Sequence, residues 1–212
     1  MGTSLLLVED HAFSRTTMEA ALRSRGYAVT ACASAADAMT SARASAPDVA
    51  VLDLDLGGGP TGLDVATALR EQFPALGLVI LTGFRDPRLA ARGLPALPRG
   101  AAYVCKADVD DFTALDRLLR SVHKEPLKLR PIEASATGPT AGLTDHQVDV
   151  LLAVAEGYTS AQIAAERGTT FGAVEQTIAR ICERLGIERG EGLNRRAQLV
   201  QVVSQSRTGA AM

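Results

Sequence analysis

Five side chains of this 212-residue chain are of types that do chemistry, and each closes a short apolar run. Glu9 and Asp10 follow Leu5-Leu6-Leu7-Val8, and Asp53 follows Val49-Ala50-Val51-Leu52. Thr82 follows Leu78-Val79-Ile80-Leu81, and Lys106 follows Tyr103-Val104-Cys105. Runs of this length and composition, separated by helical stretches, read as buried parallel strands. In an open α/β sheet the carboxyl ends of such strands converge on one crevice. Three carboxylates, a hydroxyl and an ammonium are therefore expected on one rim. Clustered carboxylates repel unless a cation joins them, and oxygen ligands suit Mg²⁺. A lysine and a threonine beside them are placed to hold an incoming phosphoryl group, which outlines a site for phosphoryl transfer.

The elements that must deliver these residues are strands near 4–9, 28–32, 49–54, 77–82 and 102–105. Helical patterns alternate with them near 12–25, 34–45, 62–72, 86–93 and 111–122. Ser34 precedes one helix, and Asp110 or Asp111 is the candidate N-cap of the fifth. The βα alternation implies a five-stranded, doubly wound parallel sheet with helices on both faces. The stretch Gly93-Leu94-Pro95-Ala96-Leu97-Pro98-Arg99-Gly100 cannot hold a helix, because each proline removes a hydrogen bond and clashes with the preceding turn. The fourth helix is therefore expected to stop near Arg92.

After Val122 the composition changes. Residues 124–142 contain three prolines and no sustained apolar period, and read as a linker between a first domain (1–123) and a second (143–212). The second domain carries no strand signal. Thr144 caps a helix to about Glu156, stopped by Gly157. Thr159 or Ser160 begins another, ended by Gly168. A third runs from Phe171 or Gly172 to Leu185, and a fourth from Leu193 to Ser204, before a tail expected to fray. Two short helices joined through Gly168-Thr169-Thr170 suggest a helix-turn-helix.

The first 120 or so residues resemble the receiver domain of bacterial two-component response regulators. The likeness rests on Glu9-Asp10, Pro47-Asp48 leading into Asp53, Leu81-Thr82, and Tyr103-Val104-Cys105-Lys106. It implies a flavodoxin-like fold and phosphorylation of Asp53 by a sensor histidine kinase. It implies Mg²⁺ held by Asp10, Asp53 and the main-chain carbonyl of Asp55, with Glu9 assisting. Thr82 would bond a phosphoryl oxygen after the switch, Lys106 would pair with the phosphate, and Tyr103 would change rotamer on activation.

Residues 143–203 resemble the LuxR-type DNA-binding domains of the NarL/FixJ class. The pattern is Leu143-Thr144, Val150-Leu151, Ala155-Glu156-Gly157, Ile163-Ala164, Val174-Glu175 and Leu185-Gly186-Ile187. The resemblance implies that the helix from Gly172 enters the major groove of double-stranded DNA, in a homodimer. Glu175, Gln176 and Ala179 would face bases, Thr177 and Arg180 would lie beside the backbone, and Thr169 and Thr170 would sit at a phosphate-favouring helix N-terminus. A basic residue is usual in that family where Glu175 stands. From Leu143 onward seven arginines and no lysine face eight acids, a net charge of −1, so one copy is expected to bind DNA weakly.

Bulk properties exclude several classes. The net charge is −2, without a global nucleic-acid or membrane signature. Cys32, Cys105 and Cys182 are scattered and suit a reducing cytosol rather than a disulfide framework or zinc site. No apolar run reaches the roughly 18 residues of a membrane span, and the expected location is cytoplasmic. Two rival readings stay open. Asp53-Leu54-Asp55, Thr82, Lys106 and Asp110-Asp111 mimic the motif order of haloacid-dehalogenase-like phosphohydrolases, although Glu9–Asp10 occupies the first strand end where that family's acidic motif belongs. The acidic second domain also fits a protein-interaction module with little DNA affinity.

Overall fold

The computed structural model describes residues 2–84, 86–90, 92, 94–109, 112–128, 140–187 and 194–208. Asp110, Asp111, Arg189, Leu193 and most of the expected linker lie outside them. The chain forms two compact units. One comprises Met1–Gly83 and Leu94–Ala134, the other Phe84–Gly93 and Ser135–Ala211. Among the described residues no helix is long and apolar enough to cross a membrane.

In the first unit, strands β1 (Ser4–Val8), β2 (Ala28–Cys32), β3 (Val49–Leu52), β4 (Gly77–Thr82) and β5 (Ala102–Cys105) form one sheet in the order β2-β1-β3-β4-β5. All pairs are parallel, with Val8 beside both Cys32 and Leu52, and Thr82 beside Cys105. Helices α1 (Ala12–Ser24), α2 (Ala35–Ser45), α3 (Gly62–Gln72) and α4 (Phe112–Lys124) flank it. Alternation along the strands sends Leu5, Leu7, Val49, Val51, Val79 and Leu81 into a core with Met18 and Leu22 of α1 and Leu115, Leu119 and Val122 of α4. α2 and α3 pack together against the sheet. This is the doubly wound five-stranded receiver fold expected from the sequence.

The region between β4 and β5 departs from expectation. Among the described residues of 86–93, where a helix was expected, the chain makes a single 3₁₀ turn, Pro87–Leu89. Asp86 caps that turn by accepting from the Arg88 amide at 3.0 Å, and Pro87 occupies its first position. Leu94 to Pro98 has no regular structure, as its prolines require.

The second unit contains α5 (Asp145–Ala155), α6 (Ser160–Glu166), α7 (Phe171–Arg184) and α8 (Arg195–Thr208). Thr144 and Thr159 each cap a helix in a reciprocal box with Gln147 and Gln162. Gly157, Gly168 and Gly186 follow three of the helices with φ of 90°, 60° and 69°. Val148, Leu151, Ile163, Val174, Ile178, Ile181, Leu199 and Val203 form the core. α8 extends further than expected, through Ser206 to Thr208, where fraying was anticipated.

Candidate functional site

The four strand ends do meet. Val8, Leu52 and Thr82 end neighbouring parallel strands, so Glu9, Asp53 and Thr82 emerge at one edge of the sheet, with Lys106 directly after β5. Lys106 Nζ donates to Asp53 Oδ2 at 2.6 Å and to Glu9 Oε2 at 2.7 Å. Glu9 is 2% exposed and Asp53 8%. Asp10 lies at the exposed mouth, and its carboxylate reaches within 4.8 Å of those of Glu9 and Asp53. Thr82 and Tyr103 are buried. The Asp55 amide donates to Asp53 Oδ1 at 3.4 Å. The Asp55 carboxylate turns to its own loop, accepting from the Gly57 amide at 3.2 Å.

Burial pushes the Asp53 carboxyl up to about 6, against the opposing pull of Lys106 and with a further push from Glu9. For Lys106 burial acts in the opposite sense, but the two carboxylates outweigh it and its pKa is raised. The asymmetry has a simple cause: one ammonium serves two buried carboxylates. Three carboxylates and one ammonium leave the pocket two positive charges short of neutrality. Clustered oxygen donors with that deficit fit a hard divalent cation such as Mg²⁺. Glu9, Asp10 and Asp53 are the residues placed to hold it.

Three supporting residues have no motif in the sequence. Ser14, in the first turn of α1, donates to Glu9 Oε2 at 2.9 Å, so that oxygen receives both Ser14 and Lys106. Arg15 Nη1 donates to the carbonyls of Glu9 and Asp10 at 2.7 and 2.9 Å, bracing the strand-end turn. Gly62 opens α3 against the Asp53 backbone: a Cβ there would lie 1.9 Å from the Asp53 carbonyl oxygen. A serine one turn beyond an acidic strand end, and a glycine at a helix start, were the available signals.

In the second unit, α6 and α7 are joined by Arg167–Thr170 as a helix-turn-helix. Val174, Ile178 and Ile181 face inward, while Gln176 and Arg180, one turn apart, are exposed on the outer face of α7. Thr169 and Thr170 are exposed, and Thr170 caps α7 by accepting from the Ala173 amide at 3.2 Å. Thr177 and Ala179 are half-buried, and the Thr177 hydroxyl donates to the Ala173 carbonyl at 2.9 Å. Glu175 is exposed as well, and it has a partner within the unit. Its carboxylate accepts from the hydroxyl of Ser160, a buried residue at the start of α6. Ser160 also accepts from Arg196 Nη2, and Arg196 Nη1 donates to the Tyr158 carbonyl at 2.8 Å. Glu175 thus has an internal partner linking α6, α7 and α8.

Comparison with known proteins agrees with this architecture. Residues 5–106 match the family described as response regulator receiver domain. The chain is 34% identical over 167 residues to the DNA-binding transcriptional activator DevR/DosR of Mycobacterium tuberculosis, covering 74% of this chain and 75% of that protein. The chain belongs to the response regulators. It is 36% identical over 113 residues to the acid tolerance regulatory protein ActR of Sinorhizobium medicae, a match spanning 52% of this response regulator and 56% of ActR. The chain thus spans only about half the length of ActR. A solved structure of RcsB dimers bound to DNA superimposes with a TM-score of 0.59 over 96% of this response regulator and 98% of that chain, at 17% identity, a likeness of fold.

Proposed function

We propose that this response regulator is a phosphorylation-responsive transcription factor. Asp53 takes a phosphoryl group from a sensor histidine kinase in the presence of Mg²⁺, and phosphorylation controls binding of a homodimer to double-stranded DNA through α7. The observation that carries the first half is the pair of contacts from Lys106 to Asp53 and Glu9, with Asp10 at the mouth. With its carboxyl at about 6, Asp53 is mostly ionised at neutral pH and able to attack phosphorus. One Asp53 oxygen forms the new P–O bond as the donor's bond to phosphorus breaks in line. Lys106 offsets the charge on the phosphoryl oxygens and leaves Asp53 for the phosphate. The metal held by Glu9, Asp10, Asp53 and the Asp55 carbonyl would neutralise charge on both reacting groups. Thr82, at the adjacent strand end, is placed to bond a phosphoryl oxygen, and buried Tyr103 is the aromatic that would follow it.

The second half is supported by the helix-turn-helix with Gln176 and Arg180 outward, and by the likeness to DevR/DosR, a DNA-binding transcriptional activator. Ala197 and Val200 of α8 are exposed and offer a surface for symmetric pairing. A small phosphodonor with Mg²⁺ should add one phosphate per chain. Equal labelling of Asp53→Ala would refute the acceptor, and undiminished labelling of Asp10→Ala without metal would refute the pocket. Genomic DNA capture by wild type and by Asp53→Asn, followed by sequencing, tests the output. Capture of no sequence above background by either would favour the protein-interaction reading, which the net charge of −1 from Leu143 onward supports.

A further inference from the structure

The segment between β4 and β5 belongs, by its contacts, to the helical unit. Arg88 is its centre. The guanidinium pairs with buried Asp86 through Nε at 3.0 Å and Nη2 at 2.8 Å. It also donates to the carbonyls of Thr140 at 3.1 Å and Leu143 at 2.9 Å, and to the carboxylate of Asp145 at 3.0 Å. Buried Thr140 donates to the same Asp86 carboxylate. Arg92 meets Glu166 at 2.9 Å and Glu156 at 3.8 Å.

The placement of those acids is unusual. Glu156 is the C-cap of α5 and Glu166 is the last residue of α6. A helix C-terminus is already electronegative and favours cations. Neither helix has a basic residue in its last turn. Arg167, the C-cap of α6, turns instead to His146 at 2.6 Å and Asp149 at 3.5 Å. The cation that both C-termini require is Arg92, supplied by the other stretch of chain. Arg88 pairs with Asp145 at the opposite, N-terminal end of α5.

The charge balance follows. Residues 84–93 carry Arg85, Arg88, Arg92 and Asp86, a net of +2, while residues 135–212 carry −1. The helical unit that includes this segment has a net charge of +1 rather than −1. α5, with 11 residues, is about 16 Å long, not much beyond a Debye length of about 10 Å at 0.1 M salt. Unpaired carboxylates on such a small unit would therefore be felt across it.

We propose that Arg88 and Arg92 are part of the DNA-binding apparatus, cancelling an acidic face of α5 and α6 that would otherwise repel DNA. The unit competent to bind is then the one that includes residues 84–93, not the C-terminal helices alone. This inference rests on the reading of α7 as a DNA-contacting helix.

The test uses the full chain and a duplex of scrambled sequence at about 50 and about 300 mM KCl. Arg88→Gln with Arg92→Gln should bind roughly fivefold more weakly at low salt, and the gap should close at high salt. Adding Asp145→Asn, Glu156→Gln and Glu166→Gln, which leaves the protein one charge more positive than wild type, should restore at least wild-type affinity. Those three acid substitutions alone, which leave both arginines in place, should tighten binding and keep the test decisive if the arginine variant fails to fold. Wild-type affinity in the arginine variant, a loss equal at both salts, or no gain in the acid variant would each overturn the proposal while leaving the DNA reading intact. Absence of any duplex binding by wild type would overturn both.

Discussion

Lys106 and Asp53 touch at 2.6 Å although 53 residues separate them in the chain, and the same ammonium reaches Glu9 at 2.7 Å. The relationship makes the acceptor carboxylate both available and restrained. With its carboxyl pushed up to about 6 it is mostly ionised at neutral pH, and on the proposed function the cation that holds it would turn to the phosphate once an acyl phosphate formed.

Metal-free protein should lose stability as pH rises through this site. The Asp53 carboxyl is raised by burial to about 6 from a model-peptide value of 3.8, so the folded state holds the proton more tightly than the unfolded state. Stability is then greatest below about 4 for this group, falls between about 4 and 6, and stays lower above, by at most about 3 kcal/mol. Asp53→Asn should remove this dependence, raising the midpoint of urea denaturation at pH 8 but not at pH 4. Addition of Mg²⁺ should recover part of the loss in wild type only. Equal responses of both proteins to pH would argue against a strained acceptor.

Gly62→Ala should be severely destabilising. Its Cβ would sit 1.9 Å from the Asp53 carbonyl oxygen and 2.8 Å from the carbonyl carbon, so α3 must move away from the acceptor strand. A loss of about 3 kcal/mol or more is expected, with reduced phosphate incorporation in the protein that folds. Gly58→Ala, where nothing lies within 4 Å, is the control and should be close to neutral. Denaturation curves of the two variants decide the matter.

Ser160→Ala should loosen the helical unit. The hydroxyl of buried Ser160 donates to Glu175 and accepts from Arg196, so its removal leaves a guanidinium nitrogen and a carboxylate without their shared partner. The cost should be about 1–3 kcal/mol, measured by chemical denaturation of the second unit. Ser160→Thr, which keeps the hydroxyl, should recover part of it. By the same logic Glu175→Gln should leave base preference at the operator unaltered, and a changed preference would return Glu175 to the base-reading set.

Gln176→Ala and Arg180→Ala should fail differently on DNA. Both side chains are exposed on α7. Loss of Gln176 should cost about 1–3 kcal/mol on a selected operator and relax preference at one base pair. Loss of Arg180 should weaken operator and scrambled duplex alike and flatten the salt dependence. Titrations of both duplexes at two salt concentrations separate the outcomes.

The sequence alone determined the sheet, the four strand ends and the helix caps. Each of these is local: a short apolar run must be buried, a strand end must project its next residue over the crevice, and Thr144 or Thr159 can satisfy the first amides of a helix without help from elsewhere. Tertiary structure alone decided three things. Ser14 meets Glu9 and Gly62 meets the Asp53 backbone because α1 and α3 pack beside them, and their local sequence gives only a weak signal of that, a serine one turn past the strand end and a glycine at a helix start. Glu175, exposed on α7, accepts from Ser160, because a carboxylate goes to the nearest donor and that donor lies 15 residues away. Most of all, a stretch readable as a short fourth helix became one 3₁₀ turn with its cations on the far helices. Proline signals stop a helix at a known place, but the partner of a stranded arginine is set by where acids without cations come to rest, and that is a property of the folded chain.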